Sequence, residues 1–210
     1  MDVRPLAPGL WWWSGWHEEW GEAVGCVYYE HGSEIVLIDP LLPPEDARRF
    51  LDALDRDVAQ RGGDVHVLLT VHWHRRSAAE LAERYGARVW APRRARAALA
   101  RRGCSVSDPF APGQALPAGL TAYPTARGSE VVYWLPAPRA LVFGDVVLGD
   151  EGGSVRLCPP GWLPRGCSPA ELRRSLAPLH ALEPRLLLPS HGQPVLDDAA
   201  GALARLLAAD

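Results

Sequence analysis

Aliphatic runs and amphipathic stretches alternate along the chain, and the pattern comes twice. VYYEHGSEIVLIDPLL (27–42) reads as strand, turn, strand, with the aliphatic run ending at Asp39. VYWLPAPRALVFGDVVL (132–148) reads the same way and ends at Asp145. The turns carry His31-Gly32-Ser33 and Pro136-Ala137-Pro138, residues that suit hairpins. Each half then adds a helix. PEDARRFLDALDRDVAQ (44–60) puts Phe50, Leu51, Leu54 and Val58 on one helical face. SPAELRRSLAPLHAL (168–182) opens with Ser168 as N-cap, Pro169 at the first position and Glu171 three residues after the cap. A buried strand closes each half: HVLLTVH (66–72) leads to His72 and RLLLPSH (185–191) leads to His191.

Aliphatic strands alternating with amphipathic helices predict an α/β sandwich with helices on the outside, in one domain spanning 1–210. Polar residues just past such strand ends are where sites form. The duplication therefore predicts that Asp145, His72, His74 and His191 converge.

Composition narrows the class. The chain is 48% hydrophobic and 22% charged, ordinary for a globular protein, and 210 residues suffice for one sizeable core. Net charge is −3 with no long run of one sign, which argues against a nucleic-acid surface. All 22 basic residues are arginine, and lysine and asparagine are absent, a compositional bias rather than a functional signal. No run is long enough for a membrane span, and MDVRPLAPGLWWW has no apolar signal core, so a cytoplasmic protein is expected. Cys26, Cys104, Cys158 and Cys167 are expected to be thiols there, with a Cys158–Cys167 bridge as the minor alternative.

The chemistry centres on LLTVHWHRRS (68–77). His-x-His on an extended segment would place both imidazoles on one side and Trp73 on the other, in packing. Two imidazoles and a carboxylate suit Zn²⁺, Fe or Mn²⁺. On its own the pair is a weak signal and reads more readily as two solvent-facing residues after a strand.

In the order LIDP with Asp39, LLTVHWH with His72 and His74, YPTARGS, VFGD with Asp145 and LPSHG with His191, the chain resembles the metallo-β-lactamase superfamily over nearly its whole length. The resemblance implies a four-layer αββα sandwich with an active site at one edge between two sheets. It implies hydrolysis of lactams, thioesters, lactones, phosphodiesters or other esters by one or two metal ions. It assigns His72, His74, Asp145 and His191 as metal ligands and Asp145 and His191 as catalytic; Asp39 is expected to be structural or to stand behind the ligands, where it could orient a histidine. The usual H-x-H-x-D-H pattern is broken. Arg76 stands where the second metal's aspartate is expected, Ser77 where its first histidine is expected, and Thr125 at a further histidine position. Neither metal keeps a full ligand set.

Arginine cannot ligate a metal. Arg76 is expected to form a salt bridge with Asp145; the alternative has Arg75 or Arg76 clamp an anionic substrate. Ser77-Ala78-Ala79-Glu80 reads as a capping box for a helix ending at Gly86. WWWSGWHEEW (11–20) holds five of the nine tryptophans and either packs in the core or borders a substrate pocket, with Trp16 as the substrate-binding candidate. His17 is a candidate extra ligand, His31 and His66 are expected at a turn and a strand edge, and His180 on a helix surface. PRRARAALARRG (92–103) reads as a basic helix with a solvated face, or alternatively an anion-binding patch. The loop LCPPGWLPRGC (157–167) is placed to overhang the site.

Three functions are compatible with this pattern. One is a hydrolase with one metal, Zn or else Fe or Mn, acting on a small ester, thioester or amide. The second is a metal-free pseudoenzyme whose pocket binds a small molecule or a protein partner. The third is a metal-free catalyst using the histidines as acid and base. The partner is a small molecule in two of the three, with neither nucleic acid nor membrane expected; the oligomeric state is open.

Overall fold

The structure, a computed structural model, describes residues 2–209. The first sheet holds β1 (Asp2–Ala7), β2 (Leu10–His17), β3 (Glu22–His31), β4 (Glu34–Ile38), β5 (Val65–Leu68), β6 (Arg88–Pro92) and β7 (Asp108–Phe110), hydrogen-bonded in chain order. Its first four strands are antiparallel, and β4 to β7 run parallel. Parallel neighbours need crossovers, supplied by α1 (Ala47–Arg61), α2 (Ala78–Tyr85) and α3 (Arg96–Ala100). The second half contributes β8 (Thr121–Pro124), β9 (Val131–Leu135), β10 (Ala140–Phe143), β11 (Val147–Gly149), β12 (Val155–Leu157), β13 (Leu186–Pro189), α4 (Pro169–Leu176) and α5 (Ala199–Ala208). The second sheet runs β13-β10-β9-β8, with β13 parallel to β10, and β11 and β12 form a separate ribbon.

The central strands of both sheets are buried on both faces, which explains why they read as aliphatic runs. Side chains alternate across each strand. Tyr29, Val36 and Ile38 face inward to meet Tyr133, Val142 and Leu188 between the sheets. Tyr28, Leu37 and Val67 face outward under Leu54, Leu81 and Leu99 of the first helix layer. Leu141, Phe143 and Leu187 lie under Leu172, Leu176 and Leu203 of the second. The result is the four-layer αββα sandwich.

Local signals were followed where nothing competed with them. Ser168 Oγ accepts from Glu171 N at 3.2 Å and Glu171 Oε2 accepts from Ser168 N at 2.7 Å, completing the expected capping box. Gly86 takes the left-handed conformation that ends α2. Ser77 departs from expectation: its hydroxyl caps no helix but accepts from Leu42 N at 2.9 Å, across the chain. The basic segment after Pro92 forms a short 3₁₀ turn (Arg93–Ala95) followed by α3. All four cysteines are free thiols. No helix among the described residues is long and apolar enough to cross a membrane.

His66 is a correction. It lies in β5, between β4 and β6, and is 3% exposed rather than at a sheet edge. Its Nδ1 accepts from Trp90 Nε1 at 3.2 Å. An indole N–H can only donate, so that nitrogen carries no proton. Burial lowers the pKa of the ring, and Glu34 raises it by less. The unfolded chain therefore takes up the proton first. His66 should leave stability unchanged above about pH 6.5 and reduce it as pH falls below that value. Chemical denaturation at pH 7.5 and 5.5 should show a larger loss for wild type than for His66→Gln; parallel losses would reject this.

Candidate metal centre

The site forms where the two halves end their parallel strand pairs. Asp39 follows β4 and His74 follows its neighbour β5; Asp145 follows β10 and His191 follows its neighbour β13. The two aspartates and two histidines meet at one edge, between the sheets. His74 is 0% exposed, Asp145 4% and His191 6%.

His74 Nδ1 is 2.9 Å from Asp39 Oδ2 and 3.2 Å from Thr70 Oγ1. Thr70 binds Asp39 through both its amide (2.8 Å) and its hydroxyl (2.5 Å). Asp39 itself sits in the left-handed region, φ 48°, where its carboxylate can reach back to Thr70. These bonds fix the imidazole with Nε2 facing Asp145 Oδ1 at 2.9 Å. The same oxygen lies 3.1 Å from His191 Nε2, whose Nδ1 is 3.3 Å from Glu22 Oε2. Asp145 Oδ2 accepts from Trp73 Nε1 at 2.5 Å and is 3.5 Å from Arg127 Nη1.

Behind Asp145 stands Glu130, 1% exposed. Its Oε1 accepts from the backbone N–H of Asp145 (2.6 Å) and Val146 (2.9 Å), and its Oε2 from Arg127 at 3.1 Å. Gly144 makes room for it: a Cβ there would lie 2.7 Å from both Glu130 Oε1 and Thr70 Oγ1. Burial, then the Asp145 charge, pushes the Glu130 carboxyl up to about 7, opposed by Arg127. Burial also acts to raise Asp145, but the His74 and His191 imidazoles outweigh it and hold its carboxyl well below the usual range. Burial and Arg76 act to lower His74, yet Asp39 and Asp145 leave its pKa raised.

His74, Asp145 and His191 each offer one ligand atom within 4.8 Å of the others, a group that could hold a metal ion; Asp145 Oδ1 faces His74 Nε2 and His191 Nε2. Two imidazole nitrogens and one carboxylate oxygen are a donor set suited to Zn²⁺, Fe or Mn²⁺. His74 Nε2 is buried and lacks an aligned hydrogen bond. At 2.9 Å it touches Asp145 Oδ1, but that oxygen lies off the line of a ring N–H. Leaving such a nitrogen unsatisfied is costly, and a cation between these atoms would relieve it. The residues present therefore fit one metal ion.

Several sequence expectations change here. His72 lies outside the group. The segment His72–Arg75 is a 3₁₀ turn, not a strand, so successive side chains diverge by about 120° instead of alternating. Trp73 consequently points into the site rather than away from it. Arg76 makes no bond to Asp145. Its Nη1 donates to the carbonyls of Gly25 (3.0 Å) and Asp39 (2.8 Å) and its Nη2 to Ser190 Oγ (2.6 Å). This guanidinium, 5.7 Å from the Trp20 ring centre, ties β3, the end of β4 and the end of β13 together. Its backbone has φ 32°, which is unfavourable for an L-residue and is held by those bonds. Arg75 has no hydrogen bond or ion pair among the described residues. Thr125 closes a turn, donating to Glu130 O at 3.1 Å.

Trp16 is 57% exposed on β2, where it lines a surface cavity of about 320 Å³ with Ser14, Glu18 and Pro44. The aromatic residues at the centre are others. Trp20 lies 5.7 Å from the His74 ring and 5.9 Å from that of His191, and Trp162, from the overhanging loop, lies 6.2 Å from His191. His17 stacks on Trp20 at 4.0 Å and stands outside the metal-capable group. His180 is exposed.

Thr70, Glu130, Arg127 and Glu22 were not singled out in the sequence; Trp20 belongs to the tryptophan-rich segment (11–20) for which a pocket border was one expectation. Thr70 and Glu130 left a usable signal: each is a lone polar residue beside an aliphatic run, and a buried polar group needs partners. Arg127 and Glu22 left none, because only tertiary folding brings them to the site.

An αββα sandwich with histidine and aspartate at its strand ends is the metallo-β-lactamase fold, and the chain has it. It is similar to the metallo-β-lactamase from Pontibacter korlensis at 16% identity and TM-score 0.72, covering 100% of this chain and 99% of that one. It is similar to a metallo-β-lactamase from Erythrobacter litoralis at 14% identity and TM-score 0.73, covering 98% and 95%. FIM-1 from Pseudomonas aeruginosa, in its mono-zinc form, matches at 13% identity and TM-score 0.71, over 98% and 94%. No family model and no curated protein matches the sequence.

Proposed function

We propose that the chain is a metal-dependent hydrolase of small esters, thioesters or amides that holds one metal ion on His74 Nε2, Asp145 Oδ1 and His191 Nε2. The observation that carries this reading is the orientation of His74. Its Nδ1 is engaged by Asp39 and Thr70, and its buried Nε2 faces Asp145 without an aligned hydrogen bond. Carboxylate-backed histidines of this kind are typical of metal ligands. The mono-zinc form of FIM-1 supports a single ion in this fold.

A bound ion supplies Lewis-acid polarisation of a carbonyl and water activated near neutral pH. The protein's own residues do the rest. Trp73 and Arg127 occupy Asp145 Oδ2, so Oδ1 is the oxygen turned to the histidines. Glu130 holds the backbone that presents Asp145. Trp20 and Trp162 flank His191 and restrict water. Glu22, close to His191 Nδ1 and half exposed, offers a proton route to solvent.

A second reading, a metal-free binding protein, is favoured by the placement of His74 between Asp39 and Asp145. A protonated imidazole there would set one ring nitrogen against each carboxylate and offset part of their charge without an ion. Elemental analysis after chelator-free purification separates the two. About one equivalent of metal is expected, the capacity of a single three-ligand site. No metal after loading with Zn²⁺, Mn²⁺ or Fe²⁺ would leave only the metal-free reading.

A further inference from the structure

Helix α1 has a second face beside the one it buries. Phe50, Ala53, Asp57 and Arg61 recur every three or four residues and share that face. Two cavities open along it, on the outer side of the first sheet. One, of about 500 Å³, lies between α1 and strands β1, β2 and β3 and is walled by Val3, Trp11, Trp13, Tyr28 and Phe50. The other, of about 480 Å³, is polar and holds Glu30, Ser33, Gln60 and Arg61. Trp11 and Asp57 line both, so the two form one groove along the helix.

The aromatic walls are held by contacts of their own. Trp11 and Tyr28, cross-strand partners, meet edge to face at 5.2 Å. Trp13 leans on Phe50 at 5.1 Å, and its Nε1 donates to Leu41 O at 2.9 Å. Aromatic faces attract cations, and a carboxylate at the same point adds to that attraction. Two carboxylates stand beside Trp11 in the polar cavity. Glu30 is engaged: it accepts from the Tyr28 hydroxyl at 3.1 Å and pairs with Arg61. Asp57 forms no hydrogen bond or ion pair among the described residues. Burial and then the Glu30 charge raise its pKa, against Arg56 and Arg61, so its negative charge is only partly compensated. Arg49 and Arg56 line the aromatic cavity alone, from exposed positions, whereas Asp57 lines both.

We propose that this groove is a second binding site, for a small organic amine. The ammonium group sits against Asp57 and the Trp11 ring, and its apolar body lies among Val3, Trp13 and Phe50. The volume and the aromatic walls are those of a small-molecule site. No residue of the metal-capable group lines the groove, so the proposal does not rest on the hydrolase reading above.

Three probes of similar shape test the charge: 2-phenylethylammonium, 2-phenylethanol and 3-phenylpropionate, each titrated calorimetrically into the protein. The ammonium should bind about tenfold more tightly than the alcohol, as expected for one partly exposed ion pair and one cation–π contact, and the propionate should bind most weakly. Asp57→Asn should bring the ammonium down to the level of the alcohol and leave the alcohol unchanged. Ala53→Leu, which fills the groove with another good helix former, should weaken all three while keeping Tm close to wild type. Added Zn²⁺ should not compete with the ammonium. Equal binding of the three probes, stronger binding of the propionate, or an ammonium preference that survives in Asp57→Asn would overturn the proposal. Competition by Zn²⁺ would place the amine at the metal centre and overturn it as well. So would the absence of binding by any probe; a concentration-dependent dimer lost in Ala53→Leu would then assign the groove to a second copy of the chain.

Discussion

His74→Ala should lower metal affinity by more than about 100-fold, whereas Asp39→Asn should lower it by about 10- to 100-fold, the cost of losing an outer partner alone. His74 offers Nε2 to the cluster, so its removal deletes a donor. Asp39 only holds the opposite nitrogen, 2.9 Å from its Oδ2, so its amide leaves the donor present but less well oriented and less basic. His72→Ala should keep near wild-type metal content, because His72 lies outside the metal-capable group. Isothermal titration with Zn²⁺ and elemental analysis measure all three. Loss of metal in His72→Ala with retention in His74→Ala would restore the arrangement expected from the sequence and reject the cluster seen here.

The second large effect concerns stability. Glu130→Ala would leave the Asp145 and Val146 N–H groups and Arg127 without the carboxylate that receives them. Breaking a buried ion pair from one side costs about 3–5 kcal/mol. For a chain of this size each kcal/mol lowers Tm by about 2–4 °C, so a fall on the order of 10 °C is expected. Glu130→Gln retains one oxygen for the two amides and loses only the charge, so it should cost clearly less. Urea midpoints and thermal melts of the metal-free proteins give the comparison. A Glu130→Ala protein as stable as wild type would show that the turn bearing Asp145 does not depend on Glu130.

The site was partly legible before folding. Asp39, Asp145, His74 and His191 stand out because each follows a run of aliphatic residues, and a strand delivers whatever follows it to the sheet edge. The conformation just past those runs was not legible. After Leu69 the chain is captured by Asp39 through the Thr70 amide and hydroxyl, and it winds into a 3₁₀ turn. That turn sends His72 one way, Trp73 toward Asp145 and His74 into the interior. The capping motif at Ser77 failed for a related reason: a hydroxyl that could cap its own helix was taken by Leu42 N, a partner 35 residues away. Ser168 had no such competitor and capped as its sequence predicts.

The sequence by itself determined the duplicated strand-and-helix order, the outer helices and the strand ends on which chemistry could stand. These follow from side-chain periodicity and local hydrogen bonding, which act over a few residues. Tertiary structure alone decided which donors meet. It joined His74 to Asp145 and His191, directed Arg76 to Gly25, Asp39 and Ser190 rather than to Asp145, and brought up Glu130, Arg127 and Trp20. Those pairings link residues far apart in the chain, and they are set by how two packed sheets bury charge at their common edge.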